Sequence, residues 1–226
     1  MARDIPWPRI LAEGCVIVLS ILLALAADAG WDRQQDRAAE AELLSSLEAE
    51  LRLNLEGLSE WQRGLQATIA TADSLHGLTG PQARPIAATR FDSLLVASIE
   101  WRTFHPATGS MSSARAHLDL IRSDRVRQEV AAFEERLRDF QENFEQAWLS
   151  AGTLLRYAQD HAPLYTPDNV AWAQQEASLD RRQLLSDVGF SNELGLWLWR
   201  LNHMLSESQS LRGHLEQMLQ FLQADS

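Results

Sequence analysis

No lysine occurs in the chain: all 20 of its basic residues are arginine. That absence rules out a Walker-type phosphate loop, a Schiff-base lysine and a Ser-x-x-Lys nucleophile pair. Cysteine is nearly absent too. With Cys15 alone, neither an intrachain disulfide nor a cysteine-cluster zinc site can form. Packing must therefore hold any exported domain together. No apolar region precedes Cys15, which removes a lipoprotein reading. Positive charge is in deficit, with 31 acidic residues giving a formal net charge of -11. This argues against a nucleic-acid partner, since phosphate contact needs a basic face. It also gives little reason for peripheral binding to anionic lipid. No alternating run of β-branched residues is present, so no sheet is expected. There is no internal repeat and no catalytic signature.

What is present is apolar and helical. Of 226 residues, 46% are hydrophobic, enough to build one ordinary domain with a core and still leave an anchor. The anchor candidate is "RILAEGCVIVLSILLALAADAGWDRQQD", Arg9 to Asp36. Ile10 to Gly30 is 21 residues with Glu13 as the only charge before Asp28. A helix of that length spans about 30 Å, the thickness of the hydrocarbon layer. Glu13 lies near the edge, where a carboxylate reaches the headgroups or is protonated at modest cost. No Gly or Pro follows from Trp31 to Glu56, so one helix is expected to leave the bilayer, with Trp31 at the interface. "ALA" at Ala24 to Ala26 offers the alternative of a cleaved export signal. Arg3, Arg9 and the terminal amine precede the segment, and Asp28, Asp32, Asp36, Glu40 and Glu42 follow it. That asymmetry places the N-terminus in the cytoplasm and the bulk beyond the inner membrane. The organisation expected is a cytoplasmic tail at 1–9, a transmembrane helix at 10–30 and an exported bundle at 31–226.

Beyond the membrane the pattern is helical throughout. Leu44, Leu51, Leu58, Leu65 and Ala72 recur every seven residues, interleaved by Leu47, Asn54, Trp61, Thr68 and Leu75. Asn54 either fixes register or simply interrupts the seam. "HGLTGPQARP" breaks this helix. A second is expected over about Ala87 to Thr103, ended by "FHPATG". "SMSSARAHLDLI" starts a short helix with serines suited to capping. Ser123 and Asp124 look like the cap of a long helix of roughly 37 residues, about 55 Å. Its stripe is Val126, Val130, Phe133, Leu137, Phe140, Phe144, Ala147, Ala151, Leu154 and Ala158. Residues 170 to 188 are helical in composition but weak in period. Ser191 is expected to open a last helix striped by Leu194, Trp197, Leu201, Met204, Ser208, Leu211, Leu215, Met218 and Leu222. Long helices of these lengths make an all-α, antiparallel helical bundle that continues from the transmembrane helix.

Candidate sites are few. His203, Glu207 and His214 share a helical face at a spacing a metal could use. They also flank the apolar stripe, where polar groups normally solvate a seam, so no metal and no cofactor is expected. His105 and His117 bracket Ser110, Ser112 and Ser113, but no nucleophile elbow accompanies them. Glu13 is either an interfacial carboxylate or a contact for a membrane partner, together with Asp28 and Trp31. Trp197 fits the core stripe, whereas Trp199 points elsewhere, towards a partner or the bilayer.

Two segments carry a resemblance. "AEGCVIVLSILLALAAD" followed by "GWDRQQDRAAEAELLSSLEAELRLNL", and "TGSMSSARAHLDLIRSDRVRQEVAAFEERL" at Thr108 to Leu137, are similar to the bacterial domain-of-unknown-function family 6090. The likeness covers most of residues 10 to 145. The resemblance implies an N-terminal anchor and a helical extramembrane domain, and no activity.

The function expected is a single-pass inner-membrane protein whose periplasmic bundle binds a protein partner or forms a homo-oligomer. The bundle seam of Leu44, Leu51, Leu58, Phe133, Leu137, Phe140, Leu194 and Leu201 would carry helix packing. The alternative is a membrane-anchored small-molecule sensor, which a buried Arg or His facing an apolar pocket would favour. A third class is a hydrolase in which His105, His117 and His161 converge near carboxylates.

Overall fold

The computed structural model describes residues 7–84, 86–100, 102–161 and 181–225, with side chains described from Val18 to Ala224. All regular structure among the described residues is helical. Helix α1 spans Trp7–His76, α2 Ala88–Ile99, α3 Gly109–Ala116, α4 Asp124–His161 and α5 Val188–Asp225. Residues 181–186 are also helical. As the absence of Gly and Pro predicts, α1 passes without a break from the apolar segment into the bundle.

The bundle has four legs. The half of α1 beyond Ala39 runs away from the apolar segment. The second leg, α2 with α3, returns along α1 and packs against it. Next, α4 runs alongside in the direction of α1, and α5 comes back between α4 and α1. The expected stripes form the core. Leu51, Leu58, Leu65 and Ala72 are buried on α1, and Leu44 at the bundle's edge is partly buried against them. On α4, Phe133, Leu137 and Phe140 are buried, as are Leu194, Trp197 and Leu201 on α5. Burying each such side chain is worth about 1.5–3 kcal/mol. Phe144 is only partly buried.

The second leg departs from expectation. Helix α2 ends at Ile99, not Thr103, and Glu100 and residues 102–107 are non-helical. Side chains of α1 take the peptide groups that a helix would have paired internally. Asn54 Nδ2 donates to Ala107 O at 2.8 Å, and Ala107 N–H donates to Asn54 Oδ1 at 2.8 Å. Trp61 Nε1 donates to Arg102 O at 2.7 Å. The Thr68 hydroxyl donates to Glu100 O at 3.1 Å. From α5, Trp197 Nε1 donates to Ser98 O at 2.8 Å. Asn54, Trp61 and Thr68 are spaced by seven, so one heptad position of α1 serves as a polar rail for the unwound leg. Pro106 keeps His105 out of the helical region. Phe104 then packs between Trp61 and Phe140, with centroids 6.4 and 6.2 Å away.

Two helix starts also differ. The serines of α3 do not cap it, and its first residue is preceded by Thr108 with no side-chain cap. Glu50 of α1 accepts instead from Ser110 N–H at 2.6 Å and Met111 N–H at 3.0 Å. A carboxylate at a helix N-terminus is the stronger cap, since it also opposes the dipole. Helix α5 starts at Val188 rather than Ser191. There Asp187 Oδ1 accepts from Gly189 and Phe190 N–H at 2.6 and 3.1 Å. Most of the weakly periodic 170 to 188 stretch, with Trp172, lies outside the described residues.

Candidate functional site

The expected bundle seam packs inside the molecule. Leu51, Leu58, Phe133, Leu137, Phe140, Leu194 and Leu201 all face the bundle's own core. A buried stripe has no free face, so a partner would have to use other surfaces. Interaction surfaces must be sought elsewhere.

The unwound leg creates one. An extended chain is narrower than a helix of about 10 Å diameter. Where Glu100 and residues 102–107 replace a helix, they leave a groove of about 1050 Å³ against α1. Its α1 wall carries Leu53, Gly57, Glu60, Gly64, Ala67 and Thr71, again alternating by four and three. Its other wall carries Ala97, Glu100, Arg102, Phe104 and His105. Leu53 is 60% exposed, a large aliphatic side chain left in water at the groove's lower end. Glu60, Arg63, Glu100 and Arg102 are exposed, and none enters the ion pairs found among the described residues.

The candidate catalytic and metal groups do not assemble. Among the described residues, no cluster of three His, Cys, Asp or Glu could hold a metal. His203 stacks on Trp199, while His214 lies further along α5. Burial, followed by the nearby Arg136 guanidinium, lowers the pKa of His214, and Glu129 opposes this. His105 lies at the groove, His117 beside α3 and His161 on Tyr157 at the far end of α4, each exposed. His117 Nδ1 meets the backbone carbonyl of Ser113 at 3.0 Å, not a serine hydroxyl. The hydrolase arrangement is therefore not formed by these histidines.

A buried cation does exist, unmarked by any sequence pattern. Arg181 is 3% exposed, and its Nε and Nη2 donate to the two oxygens of Asp92 at 2.6 and 2.7 Å. It joins the segment before α5 to α2 and does not line the groove. Nearby, Asp187 receives Tyr157 Oη–H at 3.0 Å. The hydrogen bond from Phe190 N–H, aided by those from Tyr157 and Gly189, lowers the Asp187 pKa despite opposing desolvation.

The apolar segment stands clear of the bundle. Every residue from Val18 to Ala38 is exposed. Val18, Leu19, Ile21, Leu22, Leu23 and Leu25 are each at least 55% exposed, and Trp31 is 70% exposed. Asp28 is exposed beside it, and the side chain of Glu13 lies outside the described residues. Among the described residues no helix is long and apolar enough to cross a membrane. The segment's first eight residues, Ile10 to Ile17, are outside those whose side chains are described. No family model, curated protein or solved structure matches the chain.

Proposed function

We propose that the protein is a single-pass inner-membrane protein whose exported helical bundle is a protein-interaction or assembly module. The observation that carries this reading is the apolar length of α1 exposed on every side. Six aliphatic side chains there are more than half exposed. At about 1.5–3 kcal/mol each on burial, the gain from removing them from water is on the order of 10 kcal/mol. A helix apolar all round belongs in lipid or inside a protein core, and the bundle supplies no core for this one. The whole apolar stretch, Ile10 to Gly30, has the length of the hydrocarbon layer. Trp31 then falls at headgroup level, and the acidic residues beyond it support an exported bundle. The buried Asn54, Trp61, Thr68 and Arg181 serve the bundle's own packing, which favours an interaction role over catalysis.

Fractionation tests this directly. Cells expressing the chain with a C-terminal tag are separated into membrane and soluble fractions, and spheroplasts are treated with protease. The expected result is a full-length tag in the carbonate-washed membrane, degraded only when protease reaches the periplasmic face. A shortened, soluble periplasmic product would mean that the segment is a cleaved signal and would sink the anchor.

A further inference from the structure

From the charges lining the groove, we infer that it is a two-fold interface between copies of this chain, a reading that rests on the membrane anchoring proposed above. Two copies anchored in one membrane have parallel α1 helices at the same height. A two-fold axis parallel to α1, running past the open mouth of the groove, sets the α1 wall of one copy against the unwound leg of the other. Residues at equal heights then meet.

The hydrogen bonds within one copy give those heights. Arg102 lies level with Trp61, and Glu100 lies level with Thr68. Glu60 of one copy therefore faces Arg102 of the other. Arg63 faces the stretch between Arg102 and Glu100, with Glu100 as its opposite charge. The same two pairs repeat across the axis. All four side chains are exposed and enter none of the ion pairs among the described residues. Both walls carry both signs, which an isologous contact requires of a self-complementary surface. Gly57, Gly64 and Ala67 leave α1 smooth enough for a close approach, and Leu53 supplies an apolar end.

Size sets the strength. The groove follows α1 from Leu53 to Thr71, about 27 Å of helix. A strip of that length and about one helix wide buries several hundred Å² per copy, short of the roughly 800 Å² of a standard interface. The pairing is thus weak in dilute solution. It forms where the anchors hold two copies in one plane and raise their effective concentration.

Disulfide trapping in native membranes tests the pairing, using the full chain with Cys15→Ser as background. Glu60→Cys and Arg102→Cys are placed in two differently tagged copies, and oxidation is read on a non-reducing gel. The expected product is a mixed dimer, absent when Glu145→Cys on the outer face of α4 replaces Glu60→Cys. In a second arm, Glu60→Arg or Arg102→Glu alone lowers the association constant roughly ten-fold, by converting attractions to repulsions at both symmetric contacts. The two changes in one chain restore dimerisation. Absence of the mixed dimer, equal trapping at Glu145, or failure of the double reversal to restore pairing overturns the interface. Fractionating the same cells separates the two readings. A trapped dimer in the soluble fraction keeps the interface and sinks the anchor, whereas a membrane-bound monomer keeps the anchor and sinks the interface.

Discussion

Asn54 provides the most demanding test of how the second leg is held. Its side chain is 3% exposed and makes two hydrogen bonds to one residue, accepting from Ala107 N–H and donating to Ala107 O. Asn54→Ala removes both bonds and leaves a partly buried N–H and carbonyl without partners. Each net bond is worth about 1 kcal/mol, and each orphaned group adds about 1–3 kcal/mol unless water reaches it. With water reaching one of the two, the loss comes to roughly 3–5 kcal/mol. Asn54→Leu is the sharper variant, because leucine suits the heptad position and restores apolar burial worth about 1.5–3 kcal/mol. If hydrophobic packing dominated at this site, the leucine protein would be as stable as the wild type. The orphaned peptide groups remain, so it should stay about 1–2 kcal/mol less stable. Urea unfolding of the full chain in detergent, followed by circular dichroism, measures both. At this size, 1 kcal/mol corresponds to about 2–4 °C in Tm. An alanine variant within 0.5 kcal/mol of wild type, or a leucine variant more stable than wild type, would refute the rail as the reason the leg is unwound.

Three further outcomes are expected. A Cβ at Gly189 would collide with the Tyr157 hydroxyl, so Gly189→Ala should cost about 1–3 kcal/mol. A double-mutant cycle with Tyr157→Ala should recover much of that loss, and additive losses would contradict it. Glu50→Gln should weaken the cap of α3 by about 1 kcal/mol. Amide exchange should then quicken at Ser110 and Met111 but not at Leu211; uniform change would argue against a local cap. Stability should fall with acid in two stages. His214 has a lowered folded pKa, chiefly through burial, so the unfolded chain binds that proton first and stability drops as pH falls below about 6.5. Asp187, lowered chiefly by the Phe190 N–H, contributes stability above its unfolded value of about 4, and this is lost as pH falls through the folded value. Urea titrations from pH 8 to 2 should show His214→Gln flattening the upper stage and Asp187→Asn the lower. Unchanged profiles would remove these groups as the cause.

The long helices are legible in their period because the determinants are local. Every described residue of the α5 stripe, from Leu194 to Leu222, is buried, and the α4 stripe needs only Phe144 moved to its margin. The unwound stretch is not legible in this way. Its local composition is compatible with helix to Thr103, and the groups that unwind it sit on α1, 32 to 53 residues earlier. Helix α3 has the same problem, since its cap is Glu50, some 60 residues away. Asp187 is different, because an aspartate just before a helical stripe is a local cap signal. Ser191 carries the same kind of signal one turn later, and only the N–H groups held by Asp187 decide between the two. The groove is half visible. Gly57, Gly64 and Thr71 keep the heptad spacing beside the rail, but small residues mark a face only once its neighbour is known to be narrow.

The unbroken α1 also acts as a ruler. From Trp31, which the proposed anchoring puts at headgroup level, to Glu60 in the groove is 29 residues, about 43 Å along the axis. With no Gly or Pro between Trp31 and Glu56, both the height and the compass bearing of the groove are set by residue count. One residue inserted into the exposed stretch between Trp31 and Ala38 would raise the bundle by only about 1.5 Å but turn it by about 100°. Two identical copies would stay level after such an insertion, yet their grooves would no longer point along the same bearing relative to the anchors. Under the proposed anchoring, the stretch between bilayer and bundle is therefore a gear rather than a tether.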